Sequence, residues 1–560
     1  MKKILLAIFC LTLVYSCNKQ VFEKAPSDEY SETIVWTDPG LVDLFINEVY
    51  NGMGMWVTDG FGWDAMTDQC YSLFNWAGEQ YIPKGILDQN NSNEVGVDYN
   101  KGGDSQSGLW GYMFKKIRAT NVFFERIDKV PADQSWSDLR KGEMHYLRAY
   151  FYAKLANTFG NVPIITSSFG LDDDFLNVKQ SNFKDVSAFV DSELDQAIAL
   201  LPLTTSDPGR VSKGAAMALK AEQLLYTASP LHNGGSYDLA ILEKAKVVNS
   251  AIIATGLYQL TAVYADATRV RFNSEVIFAR YMSANRIIDQ DNTMDRDLST
   301  GGVGGYTTYN PLQTFVDDYE VIDGSSTFIP ATWSNNVRTI TSNPAYDDNN
   351  PYINRDPRFY ATIYYNGAKR NANYTIESYI GGKDSRQSTV SAWWNNSWSS
   401  YFVAKFVNQR DVNAFPDRAF SNTMWVESRL GEVYLNQAEI LLKLGESDPN
   451  GDALWYVNQI RTRAGMPSLV TLDEDKLRHE RNIELAFEGK RYQDLRRWDI
   501  YDKVMKTGGW GLSIAKQNDG SFVSSLYSIN PPGWDNKFYW IPIPEVEMNK
   551  NPNLIQAPGW

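Results

Sequence analysis

The stretch DKLRHERNIELAFEGKRYQDLRRW, residues 475–498, decides how the fold of this chain is interpreted. Residues 476–488 have the apolar spacing of a helix that packs on a core. The apolar stripe of this helix, at i, i+4, i+7 and i+8, consists of His479, Ile483, Ala486 and Phe487. Gly489 predicts the end of the helix, because glycine readily adopts the positive φ of a C-terminal cap.

Charged side chains are interleaved with large apolar groups along the same stretch. Arg481 and Glu484 are three positions apart on the predicted helix, a spacing at which side chains can pair. A second short helix follows, with Tyr492, Leu495 and Trp498 on one side. The pattern predicts partly buried ion pairs that lock a helix junction, and ordinary helical packing explains it without catalysis.

Two blocks of the chain have helical periodicity. Residues 109–257 and 423–505 predict successive helices, with short turns containing Pro or Gly in the first block. Residues 429–445 alternate small and large side chains at i+3 and i+4 steps, as tetratricopeptide units do. We therefore predict a mostly α fold, in which one tetratricopeptide-like helical scaffold carries long loop-rich insertions and a few short strands.

The segments outside these blocks are rich in Gly, Asn, Asp, Trp and Tyr. Their weak periodicity predicts loop-rich segments at residues 51–108 and 258–422, with short strands at 275–281 and 361–365. The tail beyond Gly508 is predicted to be loop-rich as well.

The N-terminus predicts export and lipidation. Two lysines precede an apolar run, residues 4–15, that is too short to span a bilayer as a mature helix. The run leads to Cys17 in a lipobox-like sequence, so residues 1–17 are predicted to be a lipoprotein signal peptide ending at lipidated Cys17. Residues 18–37 are a predicted tether, and residues 38–560 a single domain. Acyl chains would anchor the protein to a membrane; secretion after an ordinary signal peptide is the alternative.

Composition narrows the function further. The net charge is −14 and no run is rich in Lys or Arg, so nucleic acid is not an expected partner. The chain has 3 cysteines, and only Cys70 is left once Cys10 is removed and Cys17 is lipidated, which predicts no internal disulfide. The 17 Trp, 32 Tyr and 26 Phe are typical of a carbohydrate-binding protein, although most of these rings are expected in the core.

No constellation of residues indicates catalysis. The 3 histidines lack the spacing of a metal site, and the chain has no nucleophile elbow, no phosphate-binding loop and no dinucleotide motif. We therefore predict no enzyme, no metal and no cofactor. A glycoside hydrolase stays the alternative, since carboxylates are plentiful and the distance between them is not visible in a sequence.

One acidic run resembles a calcium loop only superficially. Met294 and Thr300 occupy the positions at which an EF-hand needs Gly and Glu. The run is therefore predicted to be a solvated loop; its acidic residues are Asp289, Asp291, Asp295 and Asp297.

Loop-borne aromatic rings with polar neighbours are the expected site. A sugar presents flat C–H faces to rings and hydroxyls to Asp, Asn or Arg, and two groups of residues have this composition. The first group is Trp63, Asp64, Asp68, Trp76 and Tyr81, and the second is Arg286, Tyr306, Tyr309, Trp393, Trp394, Asn395 and Trp398. Trp76 is the first candidate for a stacked ring, and Trp394 is the second.

Four segments of the chain resemble the SusD/RagB family of outer-membrane nutrient-binding lipoproteins. They are GEMHYLRAYFYAKLANTFGNVPII (residues 142–165), RLGEVYLNQAEILLKLGE (429–446), RNIELAFEGKRYQDLRRW (481–498) and FYWIPIPEVEMNKNPNLIQAPGW (538–560). The resemblance implies a SusD-like protein on the cell surface that captures oligosaccharide or polysaccharide. It also implies a partner, a SusC-like TonB-dependent transporter in the outer membrane that receives the glycan. Peptide uptake of the RagB type is the alternative within the family.

Overall fold

The computed structural model of the chain describes residues 32–54, 60–97, 108–170, 173, 175–283, 293–322, 329–334, 336–407, 414, 422–530 and 534–560. The predicted signal peptide with Cys17 and the candidate residue Arg286 lie outside these ranges. Trp36, at the end of the predicted tether, packs against Phe45 and Phe123, so the fold begins within that segment.

Long helices that pack side by side form the first half of the scaffold. Their bounds are Gly108–Arg126, Gln134–Phe159, Phe183–Leu200, Lys213–Ala228 and Leu239–Ala254. Each helix packs against the next one along the chain. Leu147 and Tyr150 lie on different sides of the second helix and are both buried, so that helix is enclosed on most sides.

Shorter helices form the second half of the scaffold. Their bounds are Leu430–Leu444, Ala453–Ala464, Glu474–Glu484, Arg491–Arg497 and Tyr501–Met505. The first of them packs against Leu239–Ala254. There the Asn249 amide donates to the Val433 carbonyl at 2.9 Å and to Gln437 Oε1 at 3.0 Å. The two halves thus form one scaffold, and the predicted mostly α, tetratricopeptide-like fold is confirmed.

Other helical segments lie mainly in the loop-rich parts. The α-helices are Glu32–Val35, Pro39–Tyr50, Gly62–Asp64, Asp266–Arg269, Met294–Leu298, Gln313–Asp318, Pro357–Thr362 and Glu545–Lys550. The 3-10 turns are Ser92–Glu94, Ile127–Lys129, Phe175–Asn177, Pro230–His232, Gly301–Val303, Trp393–Asn395 and Asn536–Tyr539. None of the helices in the described ranges combines the length and the apolar composition needed to cross a lipid bilayer.

The strands of the described residues pair two by two, and every pair is antiparallel. The pairs are Cys70–Ser72 with Tyr309–Pro311, Val276–Tyr281 with Met424–Arg429, Ala331–Ser334 with Val337–Ile340, Ile363–Tyr364 with Phe402–Val403, Lys369–Asn371 with Tyr374–Thr375, Ser447–Asp448 with Gly451–Asp452, and Gly509–Lys516 with Phe522–Asn530.

The tail contains a hairpin where only loops are predicted. Gly509–Lys516 pairs with Phe522–Asn530 along almost the full length of both strands. The strand signal is weak because Gly and Ser, which favour strands little, separate the larger residues. The prediction of a loop-rich tail is therefore wrong for this part.

The acidic run is also not a solvated loop where it is described. Asp295 and Asp297 belong to the helix Met294–Leu298 and are 1% and 4% exposed. Thr293 Oγ1 donates to Asp297 Oδ2 at 2.5 Å, and the Thr308 amide donates to the Asp297 carbonyl at 2.8 Å. The loop that contains Thr308 packs against this helix and both aspartates are buried, so the prediction of a solvated loop is wrong for them. Asp289 and Asp291 lie outside the described residues.

The helix of the opening stretch ends earlier than its spacing predicts. The α-helix covers Glu474–Glu484, and residues 485–489 continue as turns that end at Gly489, with φ 73°. Arg481 and Glu484 do not pair. Arg481 donates to Asp494 Oδ2 and to Asn436 Oδ1, each at 2.6 Å. The i, i+3 spacing is present, but both side chains form their ion pairs and hydrogen bonds with residues of other elements.

A buried ion network surrounds this helix end, as the interleaved charges predict. Glu484 accepts from Arg429 Nη1 at 2.8 Å and also pairs with Arg463 and with Arg358. Glu480 accepts from Arg358 Nη1 at 2.5 Å. Burial opposes the ionisation of Glu484, but the three arginines together hold its pKa well below the ordinary value.

The network ties the loop-rich insertion to the scaffold. Arg358 belongs to the insertion, and so does Lys405, whose Nζ donates to Glu488 Oε1 at 2.6 Å. Both cations are buried and end on carboxylates of the opening stretch. These ion pairs therefore hold the loop-rich insertion against the helical scaffold.

Candidate functional site

A short strand pair joins the two loop segments that carry the predicted site. Cys70–Ser72 pairs with Tyr309–Pro311, and the Leu73 amide donates to the Thr308 carbonyl at 2.7 Å. Thr307 Oγ1 donates to the Asn395 carbonyl at 2.7 Å. Residues far apart in sequence are thus neighbours in the fold.

Six aromatic residues cluster around this junction, and we call them the aromatic platform. They are Phe74, Trp76, Tyr306, Trp393, Trp394 and Trp398. Four of them belong to the sequence-predicted set in the second segment and one, Trp76, to the first. Phe74 was not predicted, although its position two residues from Trp76 on the same short segment is a usable signal.

The ring of Phe74 packs against one face of the Trp76 ring. The two rings stack with centroids 4.8 Å apart and planes 3° apart. The Phe74 ring also meets the edge of Tyr306, with centroids 6.4 Å apart. All three side chains are partly exposed, so rings from both loop segments contribute to one accessible surface.

Trp393 and Trp394 are the most exposed rings of the platform. They are 54% and 53% exposed, and their rings stand nearly perpendicular at 83°. They lie on the 3-10 turn Trp393–Asn395. The turn is anchored by buried Asn396, whose amide donates to Ser391 Oγ at 2.7 Å. The two adjacent indoles together expose a continuous apolar surface at this turn.

Arginines lie against the rings of the platform. The Arg386 guanidinium is 3.7 Å from the centre of the Trp398 ring and 5.9 Å from that of Trp393. Arg296 Nη2 donates to the Tyr306 hydroxyl at 2.6 Å and lies over the same ring. Asn395, the last residue of the 3-10 turn, is partly buried, and its carbonyl accepts from Thr307. The surface therefore combines flat apolar faces with hydrogen-bond donors.

Three predicted ligand residues are buried in the core, so the prediction is wrong for them. Trp63 packs on Tyr492 with centroids 4.9 Å apart, and Tyr309 stacks on Phe61 at 5.0 Å. Asp64 is 0% exposed and accepts from the Gly489 amide at 2.9 Å. Sequence composition does not distinguish a loop that faces solvent from one that lines a helix, so these residues were assigned to the wrong side.

Asp68 and Tyr81 are each bound to a charged side chain. Asp68 forms a two-contact ion pair with Arg491, at 2.7 and 2.9 Å. Tyr81 donates to Glu94, and burial together with this carboxylate raises the pKa of Tyr81 to about 12. Of the first predicted group, Trp76 contributes a ring to the platform, and Tyr81 lies next to that segment, since its hydroxyl also interacts with Asn75.

Asp384, in the segment that carries Arg386, is a buried carboxylate that points inward. Asp384 accepts from the Tyr374 hydroxyl at 2.8 Å and from the Glu377 amide at 2.9 Å, and burial raises its pKa. Within the described ranges, no group of three or more His, Cys, Asp or Glu side chains is arranged to hold a metal. The geometry suits binding by stacking and hydrogen bonding.

Two protein-family models match the chain. The SusD family model matches residues 274–560. A second model, described as "Starch-binding associating with outer membrane", matches residues 28–225. The two matches lie in opposite halves of the chain and leave residues 226–273 between them unmatched.

Curated relatives match over most or all of their length. A SusD-like protein of Bacteroides ovatus is 22% identical, over 100% of this chain and 98% of the relative. SusD-like protein P2 of Formosa agariphila is 23% identical, over 81% of this chain and 80% of the relative.

Solved structures share the fold. A SusD-like protein from Bacteroides fragilis has a TM-score of 0.76 at 25% identity, covering 96% of this chain and 100% of that chain. A SusD-like carbohydrate-binding protein from the same species has a TM-score of 0.74 at 22% identity, covering 93% and 100%. A laminarin-binding SusD-like protein has a TM-score of 0.62 at 21% identity, covering 94% and 100%.

Proposed function

This chain belongs to the SusD family, and from that membership we propose that it is a cell-surface lipoprotein that binds glycans. It captures oligosaccharide or polysaccharide on the aromatic platform and passes it to a SusC-like TonB-dependent transporter in the outer membrane. It does so without cleaving the ligand.

The exposed pair Trp393 and Trp394 is the observation that carries this proposal. About half of each indole surface is in contact with water. That apolar surface leaves water only when a ligand covers the rings, which is favourable. Sugar rings present flat C–H faces of matching size. The neighbouring Arg386 and Asn395 side chains carry donors of the kind that bind hydroxyl or anionic groups of such a ligand.

The relatives support a carbohydrate as the ligand class. One solved relative is described as carbohydrate-binding and another as laminarin-binding, and the matching family model carries starch binding in its description. The assignment to the outer membrane rests on the description of the same model. The lipid anchor rests on the sequence around Cys17, and the transporter partner on the family resemblance.

A glycoside hydrolase is less well supported. Such an enzyme needs two carboxyl groups about 5–9 Å apart that face the sugar. Among the described residues near the platform, Asp295, Asp297 and Asp384 are buried. Peptide uptake is also less well supported, since the exposed indoles favour a glycan over a peptide.

A binding screen with product analysis tests the proposal. The purified full-length chain is titrated calorimetrically with starch, laminarin, xylan, polygalacturonate and dextran sulfate, and each mixture is examined for shortened products. We expect saturable binding of at least one polysaccharide and no products. Binding of none of them, release of shorter sugars, or competition by unrelated peptides would contradict the proposed function.

A further inference from the structure

Arg386 is a cation held within the aromatic platform. It lies between the rings of Trp398 and Trp393 and is partly exposed. Its Nε is buried and has no hydrogen-bond partner in the described part of the chain. The polar groups that face it are the hydroxyls of Tyr71 and Tyr527. The Tyr527 hydroxyl itself donates to the Trp398 carbonyl.

No described carboxylate neutralises this charge. Arg386 forms no ion pair with any Asp or Glu of the described ranges. The carboxylates of its own segment are engaged elsewhere: Asp384 faces Tyr374, and Glu377 lies 3.8 Å from Lys383. Hydroxyl groups leave the positive charge of the guanidinium uncompensated.

Other arginines of the chain show how unusual this is. Arg140, Arg338 and Arg491 each bind an aspartate through two nitrogen–oxygen contacts of 3.1 Å or less. Arg355, which is buried, donates to the carbonyls of Pro351, Val316 and Tyr319. Arg386 has neither arrangement: it bonds to the neutral hydroxyl of Tyr527, and further donors of its guanidinium remain at a partly exposed position.

The position of the guanidinium defines what it can bind. Stacked on the face of Trp398, it is held by a cation–π contact, and its donors lie in the guanidinium plane. Such a fork matches the two oxygens of a carboxylate or a sulfate. A partly desolvated charge without a counter-ion is unfavourable until an anion arrives.

From these contacts we propose that the platform binds an anionic glycan and that Arg386 binds its anionic group, a uronate carboxylate or a sulfate ester. Trp393 and Trp394 then stack on adjoining sugar rings. The inference rests on the proposed function and adds the chemical class of the ligand. The net charge of −14 repels anionic polymers from a distance. Distant charges are screened beyond about 8 Å at physiological salt, so the local cation decides.

Matched polysaccharide pairs and two variants test this inference. The pairs are polygalacturonate with its carboxyl-reduced form, and dextran sulfate with dextran; the variants are Arg386→Gln and Arg386→Lys in the full-length chain. We expect one anionic polymer to bind more tightly than its neutral counterpart, and Arg386→Gln to weaken that binding about tenfold or more. Arg386→Lys should lie between, because a lysine keeps the charge but not the fork. The pair that shows the difference identifies carboxylate or sulfate.

The comparison of each anionic polysaccharide with its neutral counterpart needs only the wild-type chain. It therefore remains informative if a variant folds poorly. Binding of the anionic polymer by wild type should also weaken from low to high salt, and this dependence should be reduced in Arg386→Gln. Equal affinity for both members of each pair, lost in Trp393→Ala but not in Arg386→Gln, would overturn the inference and leave the proposed function standing. Binding of no polysaccharide at all overturns both.

Discussion

Phe74 and Trp76 stack face to face, with ring centroids 4.8 Å apart and planes 3° apart. One face of Trp76 is therefore covered by the protein, and the support of Phe74 fixes the ring. A ring held in this way loses little conformational entropy when a ligand stacks on it. The relationship explains how a residue in a loop of weak periodicity can contribute to a defined surface.

Removing the support should therefore weaken binding indirectly. Phe74→Ala leaves Trp76 in place but frees its ring, so we expect a smaller loss of glycan affinity than in Trp76→Ala. Phe74→Leu, which keeps an apolar support, should lose less than Phe74→Ala. Calorimetric titration of the three variants measures this order. A loss in Phe74→Ala that exceeds the loss in Trp76→Ala contradicts a supporting role for Phe74.

The buried network at the opening stretch should act on stability and not on affinity. Glu484→Ala removes a carboxylate that compensates Arg429 and Arg463, and breaking such a buried pair costs about 3–5 kcal/mol of unfolding free energy. Glu474→Ala on the same helix is the matched control. Its carboxylate is 35% exposed and pairs with Lys443, so a change within about 1 kcal/mol is expected.

Urea unfolding and calorimetry of the two variants separate the roles. An unchanged unfolding free energy in Glu484→Ala together with abolished glycan binding would show that this carboxylate belongs to the binding site.

Asp64 should make stability depend on pH. Burial raises its pKa from 3.8 to about 8, with a further contribution from nearby Glu488. At neutral pH the folded protein thus holds a proton that the unfolded chain has lost, and folding becomes less favourable as the pH rises from about 4 towards 8. Asp64→Asn lacks this ionisation and should raise the melting temperature relative to wild type more at pH 8 than at pH 5.

The exposed Asp475→Asn serves as the control for that measurement and should show no such difference. A melting temperature of Asp64→Asn that falls relative to wild type as the pH rises is the opposite of the expected result.

Helix positions follow closely from the sequence, and the physical reason is local. The spacing at residues 429–445 predicts the helix Leu430–Leu444 because the 3.6-residue period and the cap residue Gly445 are both encoded nearby. Gly445 adopts φ 70°, which ends the helix. The fold class follows from such elements because apolar faces of the two helical blocks meet in shared clusters, as Leu225 and Ile440 do.

The site follows from the sequence only in part. Trp63 and Trp76 have similar loop surroundings, yet one packs on Tyr492 and the other on Phe74 at the surface. These contacts depend on which face of the loop meets the scaffold, and no local period encodes that. Arg386 was missed for the same reason, since its significance lies in the contact with Trp398 and in the lack of a described carboxylate partner.

The predicted anchor gives a test in cells. Cys17→Ala removes the thiol that would carry the lipid, so the protein should move from the membrane fraction to a soluble fraction. Labelling with a fatty-acid analogue should be lost at the same time. Unchanged membrane fractionation and labelling of the variant would contradict lipidation at Cys17.

The affinity of the Trp393→Ala, Trp394→Ala double variant for the best-bound glycan of the screen tests the central claim most directly. Each stacked ring should contribute about 1–3 kcal/mol, by analogy with aromatic stacking on nucleic-acid bases. Both rings are about half exposed, so the melting temperature should stay close to that of wild type. Phe272→Ala, which removes a 60% exposed ring that contacts Tyr281, is the matched control and should bind like wild type. Our account predicts a loss of at least about thirtyfold in the double variant at unchanged stability, because two rings contribute at least about 2 kcal/mol together. Wild-type affinity in the double variant would contradict the assignment of the platform as the binding site.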